Sequence, residues 1–384
     1  MSERLYDVDV YPGHFIPSVA SGALPGGGAL YDGKWYSEYQ ANPTTVGSFD
    51  FTLQLATSAG ETVHLACHVD VNDELSLPAG IDVLRVSAED RYAESAAISR
   101  ILPGVGGTVY IASGEVFADA LSSSAIAAQR GAPVLLTRAN AIPEVVKTEL
   151  VRLRPSKIVI VGGPDTIQPV VETQLGSYAL TVTRIGGADR YEVARNLIAD
   201  SAAPSSTAYI ASGNVFPDAL GSAAAAGNVK APVALVDGAE SSLTAEEVAM
   251  LSGRSVTRAI IVGGSATISS NVENDLRTRI PQVKRIGGAD RYEASAAVAR
   301  DSFPSNGSAL PDTVYLATGE KYPDALTGAV LAAQKHSPVY LVHPDCIPRD
   351  AARHILDIGA THVVLLGGSE TLTDDVANLT VCAS

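Results

Sequence analysis

One three-residue block recurs in this chain, and its residue types invite a chemical reading. Asp-Arg-Tyr stands at Asp90–Tyr92, Asp189–Tyr191 and Asp290–Tyr292, at spacings of 99 and 101 residues. A guanidinium fork suits bidentate recognition of carboxylate or phosphate, so Arg91, Arg190 and Arg291 are candidate ligand-binding residues. The same block has a structural reading. Asp90, Asp189 and Asp290 fall where a helix N-cap or first-turn acid is wanted, and the arginines can pair locally. A second repeated acid, at Asp119, Asp218 and Asp324, also opens a helix, with Pro217 and Pro323 just before two of them. A threefold acid could serve catalysis, but no His, Cys or Lys accompanies it at a matched position. A structural role at the helix start is therefore expected.

Other candidate chemistry is sparse. Gly162/Gly163, Gly263/Gly264 and Gly367/Gly368 each follow an apolar run and precede a helix. Glycines there can let a backbone approach phosphate, or simply make a tight turn. None completes G-x-G-x-x-G, and G-x-x-x-x-G-K-[ST], G-x-S-x-G and H-E-x-x-H are absent from the sequence. His64 and His68 alternate with Asp70 on one face of a predicted strand. At the usual strand rise the two imidazoles are about 13 Å apart, too far to share an ion. No metal, cofactor or catalytic residue is expected, and the chain is read as a non-enzyme.

The elements that must position these residues come in three copies. After each Asp-Arg-Tyr, four landmarks follow in one order. A strand reads VYIASG from Val109, AYIASG from Ala208 and VYLATG from Val314. Next come FADAL, FPDAL and YPDAL at Phe117, Phe216 and Tyr322, then APVLL, APVAL and SPVYL at Ala132, Ala231 and Ser337. Last are IVIVGG, AIIVGG and VVLLGG from Ile158, Ala259 and Val363. The DAL aspartate lies 14 residues before the PV proline in every copy. Short apolar runs alternating with helical segments predict an α/β module with a parallel four-stranded sheet covered on both faces. The modules are placed at 82–181, 182–282 and 283–384, joined without Gly/Ser linkers and so held in fixed geometry.

Residues 1–81 differ. A Gly/Pro-rich stretch over 11–48 precedes two alternating runs, Phe49–Leu55 and Val63–Val71, around the turn SAGE. This predicts a β-rich segment containing a hairpin that needs further partners. It is either an arm and small β-domain packed on the modules or an attachment element for a larger assembly.

Composition bounds the function. Hydrophobic residues make up 46% and charged residues 18%, a globular balance. The net charge of −15 opposes binding to nucleic acid. No apolar run approaches the length that spans a bilayer. The start, MSERLYDVDVYPGHF, lacks the apolar core of a signal peptide. Three cysteines exclude a disulfide scaffold; Cys346 and Cys382 either pair in an oxidising compartment or remain separate thiols.

The succession RIGGADRYE, YIASG, FPDAL, APVAL and IVGG resembles the type 2 putative cell-wall-binding repeat of Gram-positive surface proteins, over about residues 82–384. Arg184–Glu192 and Arg285–Glu293 match its opening well, whereas the first copy reads RVSAEDRYAE and lacks the Gly pair. The resemblance implies Rossmann-like or Toprim-like modules around a pseudo-threefold axis. It also implies noncovalent binding to an anionic secondary polymer of the wall, outside the cell. Arg91, Arg190 and Arg291 are then the polymer-facing cations. The alternatives are a virion or injection-machine protein that meets the wall from outside, docked through residues 1–81, and a wall hydrolase or amidase.

Overall fold

The computed structural model describes residues 2–3, 15–22, 29–32, 37–40, 47–57, 62–71, 75–102, 104–201, 205–215, 217–307 and 310–383. The chain divides into two compact units, Met1–Leu75 with Ser384, and Ser76–Ala383.

The first unit is antiparallel β-structure. Its strands are β1 (Ser2–Glu3), β2 (Phe15–Gly22), β3 (Ala29–Asp32), β4 (Ser37–Gln40), β5 (Gly47–Thr57) and β6 (Thr62–Val71). They form two sheets ordered β1-β4-β3 and β2-β5-β6. The expected hairpin is β5–β6, with Phe51 opposite Cys67 and Leu53 opposite Leu65. Strand β2 supplies the further partner that a lone hairpin needs.

The second unit holds the repeats. The first contains β7 (Asp82–Val86), α1 (Arg91–Ile101), β8 (Thr108–Ser113), α2 (Phe117–Gln129), β9 (Val134–Thr137), α3 (Glu144–Leu153), β10 (Lys157–Val161) and α4 (Pro169–Leu175). The second contains β11 (Thr181–Ile185), α5 (Arg190–Asp200), β12 (Thr207–Ser212), α6 (Pro217–Asn228), β13 (Val233–Val236), α7 (Ala245–Gly253), β14 (Arg258–Val262) and α8 (Ser270–Arg279). The third contains β15 (Gln282–Ile286), α9 (Arg291–Ser302), β16 (Thr313–Thr318), α10 (Tyr322–Gln334), β17 (Val339–Val342), α11 (Arg349–Ile358), β18 (His362–Leu366) and α12 (Asp374–Ala377).

Three four-stranded sheets result, ordered β9-β8-β10-β11, β13-β12-β14-β15 and β17-β16-β18-β7. Every pairing within them is parallel. The strand that opens each repeat in sequence thus pairs in the sheet of the repeat before it. For the first repeat, the one before it is the third. Strand β7 runs beside β18, with Val83 opposite Val363 and Val86 opposite Leu366. The repeats of sequence and the sheets of structure are offset by one strand, and the offset closes the three modules on one another.

The helix after that strand follows the same rule. Helices α5, α9 and α1 pack on α2, α6 and α10 of the neighbouring repeat, while each also covers the third strand of its own. Helices α2, α6 and α10 pack pairwise on one another. Their small residues permit this approach, since Ala128, Gly227 and Ala333 occupy one equivalent position, nine residues after each DAL aspartate. A Cβ on Gly227 would lie 2.7 Å from Ala333 Cβ and 2.9 Å from Ala128 Cβ. One residue further on, Gln129 Nε2 donates to Ala231 O at 2.8 Å and Gln334 Nε2 to Ala132 O at 3.4 Å. Asn228 Oδ1 lies 2.5 Å from His336 Nδ1. A single apolar cluster runs through this meeting point, from Tyr110 and Leu121 to Ala224, Leu326 and Leu366.

The cysteines resolve as a pair. Cys346 and Cys382 form a disulfide with Cα atoms 5.0 Å apart. It holds the last residues beside the loop after β17, where Ile347 bridges Val381.

Overpacking the helix junction is the most direct test of this arrangement. Gly227→Leu should destabilise the second unit by about 2–3 kcal/mol, the usual cost of forcing bulk into a filled core. Thermal melting checks it. A chain starting at Ser87, without β7, should exchange amide hydrogens faster in Val363–Leu366 while β10 and β14 keep their protection, as read by mass spectrometry.

Candidate functional site

The repeated residues gather at the carboxyl ends of the strands, where ligands sit in open α/β sheets. The Asp of each Asp-Arg-Tyr is the N-cap of its helix. Asp90 Oδ1 accepts from Tyr92 N at 3.0 Å and Ala93 N at 2.8 Å. Asp189 Oδ1 accepts from Glu192 N at 2.8 Å, and Asp290 Oδ1 from Tyr292 N at 2.8 Å and Glu293 N at 2.9 Å.

The Arg and Tyr clamp the end of the YIASG strand. Arg190 Nη1 donates to Gly213 O and Arg291 Nη1 to Gly319 O, each at 2.6 Å; Arg91 Nη1 donates to Gly114 O. The tyrosine ring crowds the same glycine. A Cβ on Gly114 would come within 2.6 Å of Tyr92 Cε1 and 3.1 Å of Arg91 Cδ, and Gly213 and Gly319 are equally crowded. Glycine, arginine and tyrosine therefore repeat together because they form one interlocked contact.

Each clamp sits at a junction between repeats. The Arg190 guanidinium lies 5.7 Å from the centroid of the Phe117 ring in the preceding repeat. Its charge also reaches the neighbouring Asp119. Arg91 acts likewise on Asp324 of the third repeat. The side chain of Asp218 lies outside the described residues.

Asp119 and Asp324 lie in the first turns of α2 and α10, whose N-cap residues are Val116 and Lys321. Both carboxyls are buried, with relative exposures of 5% and 8%. They point beneath the Gly-Gly turn, where Thr166 Oγ1 donates to Asp119 Oδ2 at 3.3 Å. Gly162 and Gly367 each have φ of +113°, and a Cβ on either would collide with the aspartate and the turn threonine. The Gly-Gly pair is thus a tight turn built over a buried acid. Burial pushes the Asp119 carboxyl above the usual range, against the Thr166 hydrogen bond and the Arg190 charge.

A second set of repeated arginines escaped the sequence reading. Arg85, Arg184 and Arg285 precede the clamp arginines by six residues in every copy, a signal as regular as Asp-Arg-Tyr itself. Each holds the Gly-Gly turn of the sheet its strand joins. Arg184 Nη1 donates to Gly162 O at 2.8 Å, Arg285 Nη1 to Gly263 O at 2.8 Å and Arg85 Nη1 to Gly367 O at 3.0 Å. Glu172 and Glu273 pair with the first two, through Nε at 3.0 Å and 2.7 Å. The matched position in the third sheet is Ala377.

Closure places one acid pair at the junction of the first and third repeats. Glu94, 3% exposed, shares a hydrogen bond with Asp324. The equivalent residues are Val193 and Ala294. Burial, then the charge and hydrogen bond of Asp324, all push the Glu94 carboxyl up. Asp324 is raised mainly by burial, against Glu94, Lys321, Arg91 and Thr371. The pair therefore retains a proton that an unfolded chain releases near the ordinary glutamate value of 4.5.

The sign of the linkage follows. Above that value the unfolded state binds fewer protons, so stability falls as pH rises toward the elevated folded-state value. Glu94→Val, which installs the second repeat's residue, should reduce this slope, with burial still holding Asp324 up. It should stabilise the protein by on the order of 1–3 kcal/mol at pH 8, with the gain fading toward pH 4.5. Melting temperature against pH is the measurement.

Among the described residues there is no group of three His, Cys, Asp or Glu placed to hold a metal ion. No helix among them is long and apolar enough to cross a membrane.

Comparison with known proteins agrees with the repeat. The family model for cell wall binding domain 2 matches residues 85–172, 184–273 and 285–377. The chain is 27% identical over 296 residues to the N-acetylmuramoyl-L-alanine amidase LytC of Bacillus subtilis (strain 168), covering 77% of this chain and 57% of that protein. It is 30% identical over 295 residues to the Amidase enhancer of the same organism, covering 77% of this chain and 39% of that one. The chain thus spans well under two thirds of either relative. Among solved structures, Cwp6 from Clostridium difficile superposes with a TM-score of 0.70 at 23% identity, over 90% of this chain and 59% of that one. Cwp8 from Clostridium difficile gives 0.68 at 21%, over 88% and 59%. With three matched repeats across most of its length, the chain belongs to the cell wall binding domain 2 family.

Proposed function

We propose that the three junctions between repeats bind an anionic secondary polymer of the Gram-positive wall, with Arg91, Arg190 and Arg291 as the polymer-facing cations. The observation that carries this reading is their shared placement. Each guanidinium donates to a strand-end glycine carbonyl, and Arg190 and Arg91 act electrostatically across a junction on the neighbouring repeat. An anchored guanidinium loses little further freedom on meeting a phosphate or carboxylate. Against a net charge of −15, attraction has to be local, so binding weakens as salt rises.

The binding units are the repeats at 82–181, 182–282 and 283–384, read as Rossmann-like or Toprim-like modules about a pseudo-threefold axis. The Cys346–Cys382 disulfide suits an oxidising setting outside the cell. Residues 1–81 are the attachment element through which a larger assembly meets the wall.

Retention on purified Gram-positive walls, before and after stripping of the secondary polymer, tests this. The parent chain should pellet with unstripped walls, and salt should release it. Arg91, Arg190 and Arg291 changed together to Gln, which keeps a donor for each glycine carbonyl, should lose at least roughly tenfold in affinity, the order expected for lost charge-assisted contacts. Full retention of that variant with an unchanged melting temperature would remove these arginines from the site.

A further inference from the structure

The three junctions share the clamp but differ at one position beside it. Five residues after the PV proline stand Arg138, Asp237 and His343. Arg138 and His343 meet the Asp-Arg-Tyr tyrosine of their own repeat, and Asp237 reaches its tyrosine through Asn214. The Arg138 guanidinium carbon lies 4.9 Å from the centroid of the Tyr92 ring. The His343 and Tyr292 rings are 3.8 Å apart. In the second repeat Asn214 joins the two groups: its Nδ2 donates to Asp237 Oδ1 at 3.1 Å, and its Oδ1 accepts from Tyr191 Oη at 3.1 Å.

The charges around each tyrosine differ accordingly. Tyr92 feels Arg91 and Arg138 against Asp90 and Glu115. Tyr191 feels Arg190 against Asp189 and Asp237. Tyr292 feels Arg291 against Asp290, Glu320 and Asp345. A guanidinium held over an aromatic ring by cation–π attraction keeps its planar fork of N–H donors, two of which a carboxylate or phosphate can accept. Arg138 is also exposed, so an approaching polymer can reach it. A carboxylate at the same place repels the same ligand, and Asp237 already accepts from Asn214.

Resting on the wall-polymer reading above, we infer that the junctions are chemically unequal: Arg138 with Arg91 makes the first the subsite for phosphate- or carboxylate-bearing units, while Asp237 turns anionic units away from the second. A polymer lying across the molecule would then be read in one register, with its anionic group at Tyr92.

The full chain would be titrated calorimetrically with a glycerol-phosphate oligomer and, separately, with a hexuronate oligomer, alongside the wall-retention assay. Arg138→Asp should weaken the preferred oligomer by at least roughly tenfold, the worth of about one bidentate charge-assisted contact. Arg138→Lys, which keeps the charge but not the planar fork of donors, should lose less. Asp237→Ala and Asp237→Arg should raise affinity or add a second equivalent of oligomer. If the parent is retained on unstripped walls while Arg138→Asp binds oligomer and wall as the parent does, the subsite assignment is overturned and the wall reading stands. The same holds if neither oligomer competes with wall binding. If the parent is not retained on unstripped walls at all, the wall reading itself fails.

Discussion

Three helices can meet at one line only if something small lies between them, and in this protein that something is Ala128, Gly227 and Ala333. With methyl groups or hydrogen at the contact, α2, α6 and α10 approach closely enough for one apolar cluster to run through all three repeats. The Ala-rich and Ser-rich composition of these helices follows from the same demand. Larger side chains would force the helices apart at this contact and break up the cluster. The low aromatic content, 5% of the chain, is consistent with a core filled by short side chains at small spacings.

Closure has a second component in the offset of each opening strand and helix onto the repeat before it. A module of this kind cannot complete its own sheet. It receives its fourth strand, an arginine on its Gly-Gly turn and a helix against its central helix from the next repeat in sequence, or from the first in the case of the third. The arrangement makes the three repeats interdependent, since each sheet is completed by a strand of another repeat. It also creates one junction unlike the others, where chain segments far apart in sequence meet and the buried pair Glu94–Asp324 replaces the apolar Val193 or Ala294. The cost of desolvating a second carboxyl falls on that junction alone.

Much of the Asp-Arg-Tyr chemistry is structural. The aspartates cap helices, the tyrosines pack on glycines, and the arginines donate to strand-end carbonyls. Such anchoring fixes each guanidinium without cancelling its charge, and Arg190 and Arg91 still act on carboxyls across their junctions. What varies between repeats is the residue set against each tyrosine. Variation at an otherwise repeated position is where three copies of one module can divide a task.

The sequence by itself determined the module. Five landmarks in fixed order, short apolar runs and capping acids were enough to read three α/β repeats with parallel sheets, because strand period, helix caps and turn glycines are local demands visible in single residues. It also exposed the clamp residues, since a contact built three times leaves its residue types three times. The tertiary structure alone decided which sheet receives each opening strand, because a parallel edge can pair with either neighbour and only helix packing selects one. The same holds for the partners of buried groups. Nothing near Glu94 in sequence names Asp324, and nothing near Arg184 names Gly162; those pairings arise only when three small-residue helices converge and bring the ends of distant strands to the same place.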